Sequence, residues 1–263
     1  MPEGHTVHRI ANAFQAEFAG RAVTVTSPQG RFNSDAALIS GRVLNRARAI
    51  GKQMFLEFAG GAVLRIHLGI YGKWQFHDSA DAAITGQVRA RFTSGEISAD
   101  LRGPTICEVI TKGEAKTVFN RLGPDPLNAN PGNREAQRFI SRVKASKSPI
   151  GLLLMNQDVI AGIGNVYRAE LLFRAQISPH KLGNQCTTEE LQAIWDDSVK
   201  LLRIGVKTGF MITKEKLFRK NPTKAERNWV YKREGTPCER CGASVQIELM
   251  ATRKLYWCPG CQK

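Results

Sequence analysis

The stretch CERCGASVQIELMATRKLYWCPGC, residues 238–261, places two Cys-x2-Cys pairs 16 residues apart. At that spacing two tight knuckles bring four thiolates around one tetrahedral Zn2+, so Cys238, Cys241, Cys258 and Cys261 are the expected ligands. Between the pairs, Ala243–Leu249 and Lys254–Trp257 read as strands. The pattern is a zinc-clamped β-hairpin that turns at or near Ala251–Lys254. Two disulfides are the alternative, and an intracellular chain disfavours them. A four-sulfur zinc site has no open coordination position, so the metal is structural and the chemistry must lie elsewhere. Cys107 and Cys186 have no such partners and read as buried thiols.

Working back from the finger, residues 206–235 are basic and weakly periodic and receive no assignment. Helical patterns precede them at 188–203, where Thr187 with Glu190 fits a capping box, and at 165–175. Ser148-Pro149 is a further helix start, and residues 133–145 are helical. Residues 121–132 hold too many Pro, Gly and Asn residues to continue an element and read as a linker. From Ala22 to Ile110 the pattern is short runs rich in Val, Ile and Phe, with Gln53–Phe58 and Ala62–His67 joined at Gly60-Gly61 as a hairpin. Val7, Ile10, Ala11, Phe14 and Phe18 recur at helical spacing before Gly20, so 5–19 is one amphipathic helix. The fold class expected is α+β: an N-terminal helix with a β-sandwich or flattened barrel (1–120), the linker (121–132), a helical lobe (133–235) and the zinc finger (236–263).

The 263 residues carry a net charge of +15, and residues 201–263 hold 14 basic against five acidic side chains. Such an excess favours a polyanionic partner, because each neutralised phosphate releases counterions. The longest apolar run, Pro149–Met155, is far short of a bilayer span, and the start of the chain lacks the basic and apolar segments of a signal peptide. The expectation is a cytoplasmic, nucleoid-associated protein with no membrane partner.

Pro2 follows the initiator methionine, and a small second residue favours methionine removal, which leaves a secondary amine at the chain start. Attack of such an amine on a sugar C1′ gives an iminium, an electron sink that labilises the C2′ proton and permits loss of the 3′ phosphate. Glu3 beside it is placed to protonate the ring oxygen or the departing base, and the positive end of the following helix disfavours protonation of the amine.

Met1-Pro-Glu-Gly4, Gly51-Lys52, Leu122-Gly-Pro-Asp125, Ala161-Gly-Ile-Gly-Asn-Val-Tyr167 and the four-cysteine finger occur together and in order. With them the chain resembles the formamidopyrimidine-DNA glycosylase and endonuclease VIII family over nearly its whole length. Pro237–Gly242, Tyr256–Cys261 and Tyr71-Gly72 look closest to the endonuclease VIII branch. The resemblance implies a β-sandwich lobe, a helix-two-turn-helix lobe and a zinc finger, with duplex DNA carrying a damaged base or abasic site bound between the lobes of a monomer. It also implies roles: Pro2 as Schiff-base nucleophile, Glu3 as general acid, Lys52 assisting elimination, Arg253 on phosphate, and Asn165 and Arg121 as further DNA contacts. Since a base inside a duplex is out of reach, the nucleotide must be extruded, and the loop Leu68-Gly69-Ile70-Tyr71 is the counterpart of the family's gap-filling loop. Ile70 and Tyr71 read as its wedges, with core burial as the plain alternative, and Gly69 stands where endonuclease VIII relatives often carry a longer polar residue.

His5-Thr6 departs from the family's usual Pro-Glu and removes a second carboxylate; Thr6 is instead a candidate cap for the first helix. The activity implied is a bifunctional glycosylase and abasic-site lyase of base excision repair, acting on oxidised pyrimidines. The competing readings are a purine-preferring enzyme, a DNA-binding protein that keeps fold and finger without catalysis, and an RNA-associated zinc ribbon that leaves Pro2 and Asn165 unexplained.

Overall fold

The computed structural model describes residues 2–218 and 220–263, so Met1 lies outside the described residues. The chain divides into two units, Met1–Arg121 and Leu122–Lys263.

In the first unit α1 (Gly4–Glu17) turns its apolar stripe inward, burying Val7, Ala11 and Phe14. The chain then leaves the helix through Gly20, whose φ is 81°. Next come β1 (Ala22–Thr26), α2 (Asn33–Ile39), β2 (Arg42–Ile50), β3 (Gln53–Phe58), β4 (Ala62–His67), β5 (Lys73–His77), β6 (Ala90–Ser94), β7 (Ile97–Arg102), β8 (Ile106–Thr111) and α3 (Lys112–Arg121). The strands run antiparallel in the order β5-β7-β6-β1-β2-β3-β4-β8. β1 is the join. Ala22 and Val23 pair with β2, whereas Thr24–Thr26 pair with β6, so one strand serves two half-sheets as strands at a sandwich corner do. The main core of the unit buries Phe14 and Phe18 of α1, Val23, Leu44, Leu56, Leu64, Phe92 and Leu101 together, and a smaller cluster of Phe55, Val63 and Ala115 seats α3 on the sheet. The sequence pattern treats Ala22–Ile110 as strands throughout; α2 interrupts it. Its Ala36 and Ile39 are buried three residues apart, too short a helical repeat to stand out from alternation.

The second unit holds α4 (Arg134–Lys144), α5 (Ile150–Leu153), α6 (Asn165–Ala175), α7 (Thr188–Thr208), β9 (Gln246–Met250) and β10 (Arg253–Trp257). α6 is its axle: Asn165 through Phe173 are all buried, with Tyr167 and Leu171 facing the helical core and Ala169 and Phe173 facing the finger. A helix apolar on several sides has little periodicity and must be covered on several sides. α7 carries the capping box, Thr187 accepting from the Glu190 N–H at 3.2 Å while Glu190 accepts from the Thr187 N–H at 2.8 Å. It runs on to Thr208 because Gly209, with φ 77°, ends it.

Three local expectations are corrected. Thr6 does not cap α1: Glu3 is the cap residue, no side chain caps the end, and Thr6 Oγ1 pairs instead with His5 Nε2 at 3.2 Å. The helix at Ser148-Pro149 amounts to the four-residue α5, which Pro149 begins without a side-chain cap. The connection after Arg121 is not a free tether, because Leu122–Pro126 are buried in the second unit. There Gly123 donates to the Gln157 carbonyl at 2.8 Å and Pro124 accepts from the Ala161 N–H at 2.8 Å. Among the described residues, no helix is long and apolar enough to cross a membrane.

Candidate active site

The first unit gathers its reactive groups at one end of the sheet, and backbone pairing explains how. Leu44, near the start of β2, exchanges backbone hydrogen bonds with Gly20 and Arg21 just beyond α1, and Gln15 on α1 accepts from the Ala47 N–H at 2.9 Å. α1 therefore runs against β2, and going back along the helix means going forward along the strand. From Gln15 to Pro2 is about 20 Å of helix at 1.5 Å per residue. From Ala47 to Lys52 is about 17 Å of strand at 3.3 Å per residue. The helix start and the β2–β3 turn thus reach the same end.

That turn has two residues, since Ile50 faces Gln53 across the ladder. Gly51 has a φ of 59°, which a side chain resists, and this conformation sets Lys52 half-buried at the turn. The next hairpin pairs Gln53 with His67, bringing His67 and the loop that follows it to the Lys52 turn. His67 is pushed below its ordinary value by burial, then by the charges of Lys52 and Arg65. Its Nδ1 accepts from the Gly69 N–H at 3.2 Å, so this nitrogen is the unprotonated one and the loop start depends on a neutral imidazole.

At the helix start Glu3 is fully buried and Pro2 half-buried. Gly4, with no side chain, opens the helix directly behind them. His5 is 2% exposed and pushed down to about 4, by burial first and then by surrounding positive charge. A neutral histidine therefore stands where the family's pattern has an apolar ring, and the sequence offered no signal for its burial. In the loop after His67, Ile70 is 48% and Tyr71 85% exposed. The plain alternative of core burial is overturned: the turn is closed by Gly72 N–H donating to the Leu68 carbonyl at 2.9 Å, which turns both side chains outward.

The second unit brings Asn165 and the finger tip together. Gly164 is the cap of α6 and Asn165 its first residue; the Asn165 Nδ2 donates to the Lys254 carbonyl at 2.9 Å. Arg168, one turn on and buried, donates to the same carbonyl at 3.1 Å and to Asn165 Oδ1. Both clamp the residue next to Arg253, which is exposed at the first position of β10. Sequence reasoning missed Arg168: a basic residue inside a helix gives no sign that it is buried. Arg121 is exposed at the end of α3, in the first unit.

The sulfurs of Cys238, Cys241, Cys258 and Cys261 lie within 4.8 Å of one another, with Cys238 and Cys261 3.8 Å apart and Cys241 and Cys258 3.5 Å apart. These separations are far beyond a disulfide bond, and four sulfurs each 2.3 Å from one Zn2+ would stand about 3.8 Å apart. The donor set fits a closed structural zinc site.

A β-sandwich unit that opens on a helix, followed by a helical unit that ends in a four-sulfur finger, is the architecture of a family of DNA glycosylases. Residues 1–107 match the formamidopyrimidine-DNA glycosylase N-terminal domain and residues 122–216 its H2TH domain. The endonuclease 8 1 of Mycobacterium tuberculosis is 44% identical over 270 residues, covering all of both chains, and the endonuclease 8 of Escherichia coli is 26% identical over the same span. The chain belongs to the formamidopyrimidine-DNA glycosylase and endonuclease VIII family, whose members are DNA glycosylases and abasic-site lyases of base excision repair. In fold it is similar to the formamidopyrimidine-DNA glycosylase of Lactococcus lactis, solved with DNA containing N7-benzyl-Fapy-dG, at a TM-score of 0.82 and 23% identity over all of both chains. The same enzyme in complex with DNA containing an abasic site gives a TM-score of 0.81 at 22% identity over 99% of both chains.

Proposed function

We propose that the chain excises oxidised pyrimidines from duplex DNA through a Schiff base at Pro2 and then cleaves the strand by elimination. The observation that carries this is the convergence of Pro2, the buried Glu3, Lys52 and the outward-facing Ile70 and Tyr71 at one end of the first unit's sheet. With Met1 removed, the Pro2 nitrogen bonds to C1′ as the base–C1′ bond breaks, and the departing base takes the proton that the amine gives up. The C1′–O4′ bond then opens with protonation of O4′, leaving the iminium. Glu3, buried beside the amine, is the acid for the ring oxygen. Loss of the C2′ proton to a base breaks the C3′–O bond, and the 3′ phosphate leaves the strand. Lys52, whose ammonium stands at a half-buried turn, assists this elimination by stabilising the charge on the departing phosphate. Water hydrolyses the remaining iminium and frees the amine.

Asn165 and Arg253, set side by side by the Lys254 carbonyl, hold phosphates, and Arg121 adds a contact from the first unit. Ile70 and Tyr71 fill the gap left by the extruded nucleotide. Zinc held by the four cysteines stiffens the hairpin that carries Arg253 and takes no part in bond changes. The enzyme acts as a monomer. The pyrimidine preference rests on the 44% identity to an endonuclease 8 and on the Tyr71-Gly72 and finger motifs.

A panel of lesion duplexes tests the reading. Single-turnover cleavage of thymine glycol or 5-hydroxyuracil duplexes should outpace that of 8-oxoguanine:cytosine, and abasic duplexes should be cut as well. An 8-oxoguanine rate ten times the pyrimidine rate, about 1.4 kcal/mol in barrier, overturns the pyrimidine assignment. Binding to all duplexes with no cleavage of any would leave a DNA-binding protein without catalysis. Cleavage of abasic DNA alone would point to the missing carboxylate at Thr6, which Thr6→Glu tests by whether base excision appears.

A further inference from the structure

The loop that carries Ile70 and Tyr71 has a third participant, and it comes from a different part of the chain. Gly69 has a φ of 64°, and a Cβ there would lie 1.9 Å from Thr105 Oγ1 and 3.1 Å from Thr105 Cβ. Thr105 is exposed, and its side chain thus fills the space where a side chain at position 69 would begin. The placement is fixed by backbone. Thr105 N–H donates to the His67 carbonyl at 2.8 Å, and Ile106, which follows it, pairs with His67 across the β4–β8 ladder. Gly103 brings its backbone under the same loop, a Cβ there standing 3.6 Å from the Tyr71 carbonyl. The loop therefore presents an exposed apolar side chain from Ile70, an exposed ring from Tyr71 whose hydroxyl stands at its far end, and one short exposed hydroxyl from Thr105 beside them.

We infer that Thr105 is a specificity-determining residue: its hydroxyl, occupying the side-chain place of position 69, meets the base left without a partner in the strand opposite the lesion. The inference rests on reading Ile70 and Tyr71 as gap-filling residues. Once the damaged nucleotide is extruded, the facing base loses its hydrogen-bond partners, and a desolvated base edge needs replacements. Ile70 offers none, and the Tyr71 hydroxyl stands at the far end of a ring that fills the gap, whereas the short threonine hydroxyl donates or accepts as its proton rotates. A single rotatable hydroxyl satisfies either kind of edge. The enzyme should accordingly tolerate different opposite bases, with rates that differ by less than about tenfold, a small number of hydrogen bonds.

The test is single-turnover excision of one oxidised pyrimidine opposite each of the four bases, with cleavage of a single-stranded abasic oligonucleotide as the reference that has no opposite base. Thr105→Val keeps the shape and removes the hydroxyl. It should slow duplex excision about three- to tenfold, alter the ranking of opposite bases, and leave single-stranded cleavage unchanged. Unchanged rates on all four duplexes, or equal slowing on the single strand, would overturn the inference. Gly69→Gln should slow duplex excision at least tenfold, and adding Thr105→Gly should recover threefold or more of that loss and sharpen opposite-base discrimination. If the double variant is no better than Gly69→Gln, the two positions do not share the space and the inference fails. Ile70→Ala with Tyr71→Ala separates the underlying reading: unaltered duplex excision in that variant removes the gap-filling role itself, whatever Thr105 does.

Discussion

Two completely buried carboxylates, Asp100 in the first unit and Glu170 in the second, are satisfied in different ways. In the first unit Asp100, in β7, meets side chains: Arg91 at 2.7 and 2.9 Å, Arg102 at 3.1 Å and His77 at 3.2 Å. Burial pushes its carboxyl up, but the hydrogen bonds and charge of Arg91, with His77 and Arg102, outweigh this and hold it below the usual range. In the second unit Glu170, in α6, meets backbone: the N–H groups of Trp229, Val230 and Tyr231 at 2.8, 2.9 and 2.8 Å, and the Thr213 hydroxyl. Asp100 ties strands that pair anyway. Glu170 orders chain with little pairing of its own, the stretch between α7 and the finger, where the Thr213 N–H donates to the Arg227 carbonyl at 3.0 Å. The first unit is thus held by its ladder and core, whereas in the second unit, beside its helical core, the segment after α7 is held by single polar residues and the finger by the cysteine cluster, and disturbances should separate accordingly.

The largest effect should come from stripping the metal. Structural zinc contributes on the order of 10 kcal/mol to the order of a small finger. Chelation should release the hairpin with Arg253, lower DNA affinity, and weaken covalent trapping chiefly at low protein concentration, while the first unit's unfolding transition stays in place. Unchanged affinity after verified loss of zinc would break the contrast.

Next comes Glu170→Gln, which puts an amide N–H2 against backbone donors and leaves at least one buried N–H unmet. Urea denaturation should show a loss of about 3 kcal/mol, with proteolysis appearing first between Phe210 and Tyr231. A loss under 1 kcal/mol would mean the stretch is held by something else.

In the first unit the expected disturbance is acid. His5 titrates at about 4 in the folded chain against 6.5 unfolded, so between those values the unfolded state binds more protons. Stability is therefore complete above pH 6.5 and falls as the pH drops toward 4, by up to about 3 kcal/mol. His5→Gln should flatten that part of the curve. An unaltered acid limb in the variant would remove His5 as its source.

Thr187→Ala, which removes half of the capping box, should give the smallest change, about 1 kcal/mol in the second unit only.

The same contrast decides what was legible in the sequence. Gln53–Phe58 and Ala62–His67 appear as strands with the expected bounds, because alternating apolar residues around Gly60-Gly61 have one way to pair. The first helix, expected over 5–19, spans Gly4–Glu17, and the four cysteines cluster as their spacing requires. Residues 206–235 were not legible: beyond the end of α7 at Thr208 their described residues contain one short 3-10 turn, and the residue that orders them, Glu170, sits 43 to 61 positions away inside a helix. Arg168 was hidden for the same reason, since its partner is a backbone carbonyl 86 residues later. Thr105 was hidden too, because its relation to Gly69 exists only once β4 and β8 are paired.

The central claim is that the Pro2 amine is the nucleophile, and mapping the trapped adduct tests it most directly. The protein is reduced with borohydride while acting on an abasic duplex, digested, and the DNA-linked peptide sequenced by mass spectrometry. The sugar should be found on the Pro2 nitrogen alone, and a protein whose N-terminus is extended through a peptide bond should give no adduct, because an amide nitrogen cannot form the iminium. An adduct on Lys52 in the native chain, or full trapping and cleavage by the verified N-terminally blocked protein, would contradict the account.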